Sequence, residues 1–113
     1  MRAAEFLIER VIHSGWVNDI FVEISDHTHH RNERREASPR AVDSIINKLH
    51  TCDKNIRTIE PPAGKFWVYS TKWNTAIGCM RKPDKDGKLS VIVNTLLSDP
   101  PHAEGIVPVF YIP

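Results

Sequence analysis

Ala4, Leu7, Ile8 and Val11 recur at helical spacing, so residues 2–13 are expected as an amphipathic helix that Gly15 ends. The pattern then changes period. Over residues 19–24, Ile20, Val22 and Ile24 alternate with Phe21 and Glu23, which is the signature of a strand. Ser25 or Asp26 can cap a following helix, with His27 in its first turn. A further helix opens at Ser38-Pro39, since serine is a good N-cap and proline suits the first helical position. Its apolar stripe is Ala41, Val42, Ile45, Ile46 and Leu49.

The second half reads as β-structure. Residues 65–70 hold Phe66, Trp67, Val68 and Tyr69, residues 74–81 hold Ala76, Ile77, Cys79 and Met80, and residues 89–97 hold Val91, Ile92 and Val93. Pro61 to Gly64 form a loop, and residues 82–87 are expected as a hairpin connection ending in Asp-Gly. The tail over 106–112 is again β-rich, but Pro108 and Pro113 confine it to a sheet edge. The order predicts an α+β fold: N-terminal helices packed on one face of a small antiparallel sheet of about four strands.

The length of 113 residues suits a single domain over 1–113. Composition is that of a soluble globular protein, at 41% hydrophobic and 26% charged. No apolar run suits a membrane span, and Glu5 and Glu9 interrupt what would otherwise be a leader. Cys52 and Cys79 lack any CxxC spacing and read as reduced thiols in a cytoplasmic protein. A net charge of +1 argues against non-specific coating of nucleic acid, yet basic segments at 31–40 and 81–88 can hold a short stretch of it.

The chemistry concentrates in residues 27–35, which carry His27, His29, His30, Arg31, Arg34 and Arg35. Imidazoles move protons near neutral pH, and guanidiniums hold phosphate. Residues 27, 31 and 35 share one helix face, and His30 with Arg34 forms a second, rotated pair. A helix N-terminus adds N–H groups suited to an anion. The run His27-Thr-His29 also fits the HxH of zinc hydrolases, but cationic Arg31 beside a metal is unfavourable, so no metal and no cofactor is expected.

The ordered set His27-x3-Arg31-x3-Arg35-x6-Val42, Gly64-Lys-Phe-Trp67, Gly78-Cys-Met-Arg-Lys82-Pro83 and Val91-Ile-Val-Asn94 resembles the phage RegB-type endoribonucleases. These belong to the broad RelE/YoeB-like toxin superfamily, and the resemblance spans roughly residues 20–96. It implies a sequence-selective, metal-independent endoribonuclease that cuts mRNA through a 2′,3′-cyclic phosphate. It implies a catalytic role for His27 and for Arg31 one turn later, and the four-residue spacing sets Arg35 on the same face as a further catalytic candidate. Where the family carries a second functional histidine, ungapped alignment places Asn47, and His50 lies three residues on. The spacing of His50 from Val42 and Ile46 also suits a packing histidine on the rim of the apolar stripe.

His30, Arg34, Lys72, Arg81 and Lys82 are expected to bind substrate, with solvated turns as the plain alternative for the last three. Trp67, Tyr69 and Trp73 are candidates to stack on bases, and alternation sets Trp67 and Tyr69 opposite Phe66 and Val68. The expected partners are RNA, and with it a ribosome or a host protein, in the cytoplasm (the host's if the chain is phage-encoded). The competing reading is a non-catalytic regulatory or anti-host protein that uses the same scaffold to bind RNA or a host protein.

Overall fold

The computed structural model describes residues 14–25, 38–61, 64–97 and 107–113. The expected helix over 2–13 and the one opening near His27 lie outside these residues.

The chain turns first at Asn18-Asp19, both at positive φ (48° and 67°), the geometry of a tight two-residue hairpin. This joins β1 (Gly15–Val17) to β2 (Ile20–Ile24), which pair antiparallel. Helix α1 (Pro39–Asn47) begins as its sequence requires: the Ser38 hydroxyl accepts from the Ala41 N–H. Its stripe of Ala41, Val42, Ile45 and Ile46 is buried. A 3-10 turn (Leu49–Cys52) and the short helix α2 (Asp53–Ile56) continue the same layer. Then come β3 (Gly64–Ser70), β4 (Thr75–Lys85), β5 (Lys88–Leu97) and β6 (Val109–Ile112).

These strands form one six-stranded sheet in the order β1-β2-β5-β4-β3-β6. It is mixed, because β2 runs parallel to β5 and β6 parallel to β3. This overturns the expectation of helices packed on a four-stranded antiparallel sheet. Strand accounts for 52% of the described residues, whose helices are two and short. The discrepancy has two local causes. Three residues of β1 carry too little pattern to announce a strand, and the parallel pairs join segments far apart in sequence.

The segment 82–87 also differs from expectation. β4 runs on to Lys85, and only Asp86-Gly87 turn, at φ 52° and 76°. A register shift between Lys82 and Lys85 accommodates Pro83, which cannot donate to the ladder. The C-terminal strand does take an edge, beside β3.

The helices cover one face of the sheet. Ile20, Val22 and Ile24, Leu89, Val91 and Val93, Ile77 and Cys79, and Phe66 and Val68 point into one core with Ile45, Leu49 and Ile56. Each such side chain contributes about 1.5–3 kcal/mol by leaving water. Arg81 enters this layer too and is only 8% exposed. Its Nη1 donates to the carbonyls of Arg57 and Ile59 (both 3.0 Å), and its Nη2 to Asp84 (2.9 Å). It thereby ties the chain end of α2 to β4. Cys52 and Cys79 are buried free thiols in the same core. Among the described residues no helix is long and apolar enough to cross a membrane.

Candidate functional site

Where the helix layer meets the β1–β2 turn, four separate segments converge. The concavity has a volume of about 300 Å³ and is lined by Asn18, Asp19, His50, Asp53, Arg57 and Lys88. The left-handed turn at Asn18-Asp19 aims the Asn18 amide at the end of α1. The 3-10 turn after α1 sets His50 on the solvent side while Leu49 and Cys52 face the core. One helical turn on from Asp53, Arg57 closes an i,i+4 pair with it, Nε to Oδ2 at 3.2 Å. Lys88 opens β5 and approaches Asp19 at 3.8 Å.

His50 is the centre of this arrangement. Its Nδ1 lies 3.1 Å from the Asn47 carbonyl and 3.2 Å from the Asn18 amide nitrogen. Asn18 also donates to the Asn47 carbonyl at 3.1 Å. If Nδ1 carries the proton, it donates to Asn47 and Nε2 presents a lone pair. In the other tautomer Nδ1 accepts from Asn18 and Nε2 presents N–H. Both tautomers anchor the ring through one nitrogen and present the other, first as a base and then as an acid. The two ion pairs here are exposed, so each contributes little and yields readily to an incoming anion.

The sequence-derived candidates separate in space. Asn47 and His50 come together, Asn47 through its backbone carbonyl, while its side chain turns back to the Asp43 carbonyl. His50 is exposed and is no packing residue. Arg81 is buried, with its guanidinium on backbone carbonyls of the helix end. Lys82 lies on the other face of the sheet, paired with Glu23 at 2.6 Å. Lys72 sits in the β3–β4 turn, with its ammonium 5.6 Å from the Trp73 ring centroid, at the opposite end of the sheet. His27, His30, Arg31, Arg34 and Arg35 lie outside the described residues. The described chain leaves β2 at Ser25, at the other end of that strand from the turn beside His50.

Asn18, Asp19, Asp53 and Arg57 did not emerge from the sequence as site residues, and Lys88 emerged only as part of the basic segment 81–88. The available signals were Asn-Asp between two apolar runs and the Asp53–Arg57 spacing. Neither points to His50 without the fold. Among the described residues no group of three His, Cys, Asp or Glu is placed to hold a metal. No protein family, no curated protein sequence and no solved structure matches this chain.

Proposed function

We propose that this protein is a metal-independent endoribonuclease that cuts RNA through a 2′,3′-cyclic phosphate, with His50 as its proton-transfer group. The observation that carries the reading is the anchored imidazole. Nδ1 is held by the end of α1 and the β1–β2 turn, which leaves Nε2 as the nitrogen for proton transfer, and the exposed ring lines a polar concavity together with Arg57 and Lys88.

Cleavage of RNA needs little more than these groups. Nε2 takes the proton of the ribose 2′-hydroxyl, the 2′-oxygen attacks phosphorus, and the bond to the 5′-oxygen breaks. Arg57 and Lys88 hold the charge that builds on the phosphoryl oxygens. One imidazole cannot reach both sides of an in-line displacement, so water protonates the leaving 5′-oxygen. Such an enzyme is slow.

The test is incubation of the purified full chain with mixed RNA in EDTA. Discrete cuts ending in cyclic phosphate are expected, and His50→Ala abolishes them. Intact RNA at high protein concentration defeats the reading. Cuts that survive His50→Ala and vanish with His27→Ala move the chemistry to the histidine cluster and overturn the assignment to His50. Binding of RNA without cleavage, weakened by salt, selects the regulatory reading instead.

A further inference from the structure

The second face of the sheet, opposite the helices, holds a different kind of hollow. Register places Cys79 opposite Val93 and Gly78 opposite Thr95, so Asn94 has no partner on β4. This is a β-bulge, a device that re-aims side chains. Its effect shows in the burial pattern: Leu89, Val91 and Val93 face the core, and after the bulge it is Leu96 that does. Asn94 and Thr95 therefore both turn away from the core, side by side, into one pocket.

The floor of that pocket depends on Gly78. A Cβ there would lie 2.5 Å from the Thr95 methyl and 3.0 and 3.2 Å from two carbons of the Trp67 six-membered ring. Only glycine lets the indole lie against the β4 backbone at this point. Met80 and Lys65, paired across β3 and β4, form one side. The hollow measures about 490 Å³, within the range of small-ligand sites. Among the described residues, the Asn94 amide, the Thr95 hydroxyl and the Lys65 ammonium have no hydrogen-bond or ion-pair partner.

We propose that this pocket binds an adenine nucleotide. The half-buried indole supplies a flat surface for a heteroaromatic ring. The Asn94 amide offers a donor and an acceptor side by side, the complement of the amino group and ring nitrogen on the adenine edge. Thr95 adds a hydroxyl of either sense, and exposed Lys65 stands at the mouth for a phosphate. The source of the base is either a free nucleotide or one residue of an RNA strand. The pocket is independent of the His50 site, since Asn94 lies six residues, roughly 20 Å, along β5 from Lys88 and on the other face.

Calorimetric titration of the full chain with AMP, GMP, adenosine and an uncleavable 2′-O-methyl oligoadenylate tests this. Saturable binding of one AMP per chain is expected, with GMP about tenfold weaker. Asn94→Ala and Trp67→Leu each weaken AMP about tenfold. Lys65→Gln, an exposed change that leaves the fold intact, brings AMP down to the affinity of adenosine. Oligoadenylate binding well above AMP assigns the pocket to a strand, and equal affinity assigns it to the free nucleotide. Absence of saturable AMP and oligoadenylate binding up to about 1 mM overturns the proposal. So does binding that ignores all three substitutions, or that prefers GMP. Nucleotide binding by a protein that leaves RNA intact sustains the pocket and defeats the nuclease. Cleavage without nucleotide binding does the reverse.

Discussion

On β4, Ile77, Cys79 and Arg81 face the helices, while Ala76, Gly78, Met80 and Lys82 face the other way. The first set meets α1, the 3-10 turn and α2 and leaves no room. Even its one cation, Arg81, ends on backbone carbonyls. The second set is small or flexible and leaves a hollow under Trp67. The same strand thus carries a stabilising face and a face with space for a ligand. The two differ in volume more than in polarity. Among the described residues, polar groups gather at the rim of the filled face, where the 3-10 turn sets His50 beside the β1–β2 turn, and a hollow lies on the second face.

The largest expected effect tests that rim. His50→Ala lowers RNA cleavage about 10³-fold, within the usual range for losing an acid–base group, and leaves the urea midpoint unchanged. A large drop in stability with His50→Ala would make the residue structural, because it is exposed and its loss opens no cavity. Next comes a paired test of the two faces by urea denaturation. Leu49→Ala on the filled face costs about 3 kcal/mol, and Met80→Ala on the second face about 1 kcal/mol. Equal costs break the comparison, since they would mean that the second face is packed as tightly as the first.

Arg81→Met removes the donors to two carbonyls and costs about 2 kcal/mol. It also releases the chain at Arg57, so cleavage falls further than stability alone explains. Measuring both in one variant separates the positioning role from the structural one. Unchanged cleavage in a folded variant would show that Arg57 does not depend on this tie.

The smallest effect is a pH dependence. Burial pushes the Cys52 and Cys79 thiols above their ordinary value of 9.0, with Cys79 raised furthest. The folded state therefore keeps protons that the unfolded chain has begun to lose. The stabilisation is full below pH 9 and declines as pH rises above it, by about 1 kcal/mol per pH unit at most for each thiol. Urea midpoints of the native chain and of Cys79→Ala, compared between pH 8 and about 10, should converge as pH rises. Parallel curves would place the thiol nearer water than the filled face allows.

Much of the element list was legible along the chain. Ser38-Pro39 and the stripe after it specify α1, because capping and helical periodicity act within a few residues. The aromatic run of β3, the apolar run of β5 and the Asp86-Gly87 turn are local signals of the same kind. Pro108 and Pro113 bar the C-terminal strand from the sheet interior, which is also a property of single residues.

The sheet itself was not legible at this level. Pairing β2 with β5 joins Val22 to Val91, and no local preference chooses that partner over another apolar strand. The bulge at Asn94 exists only because β4 opposes it. The candidate site has the same origin. Along the chain His50 suits either a second functional histidine or a packing residue beside Val42 and Ile46, and Asn18, Arg57 and Lys88 sit in three other segments. By itself the sequence determined which residues can be helix, strand or turn, since those preferences arise over a few bonds. Which polar groups meet was decided only when distant apolar segments closed on one core, because burial rewards contact between residues regardless of the chain length that separates them.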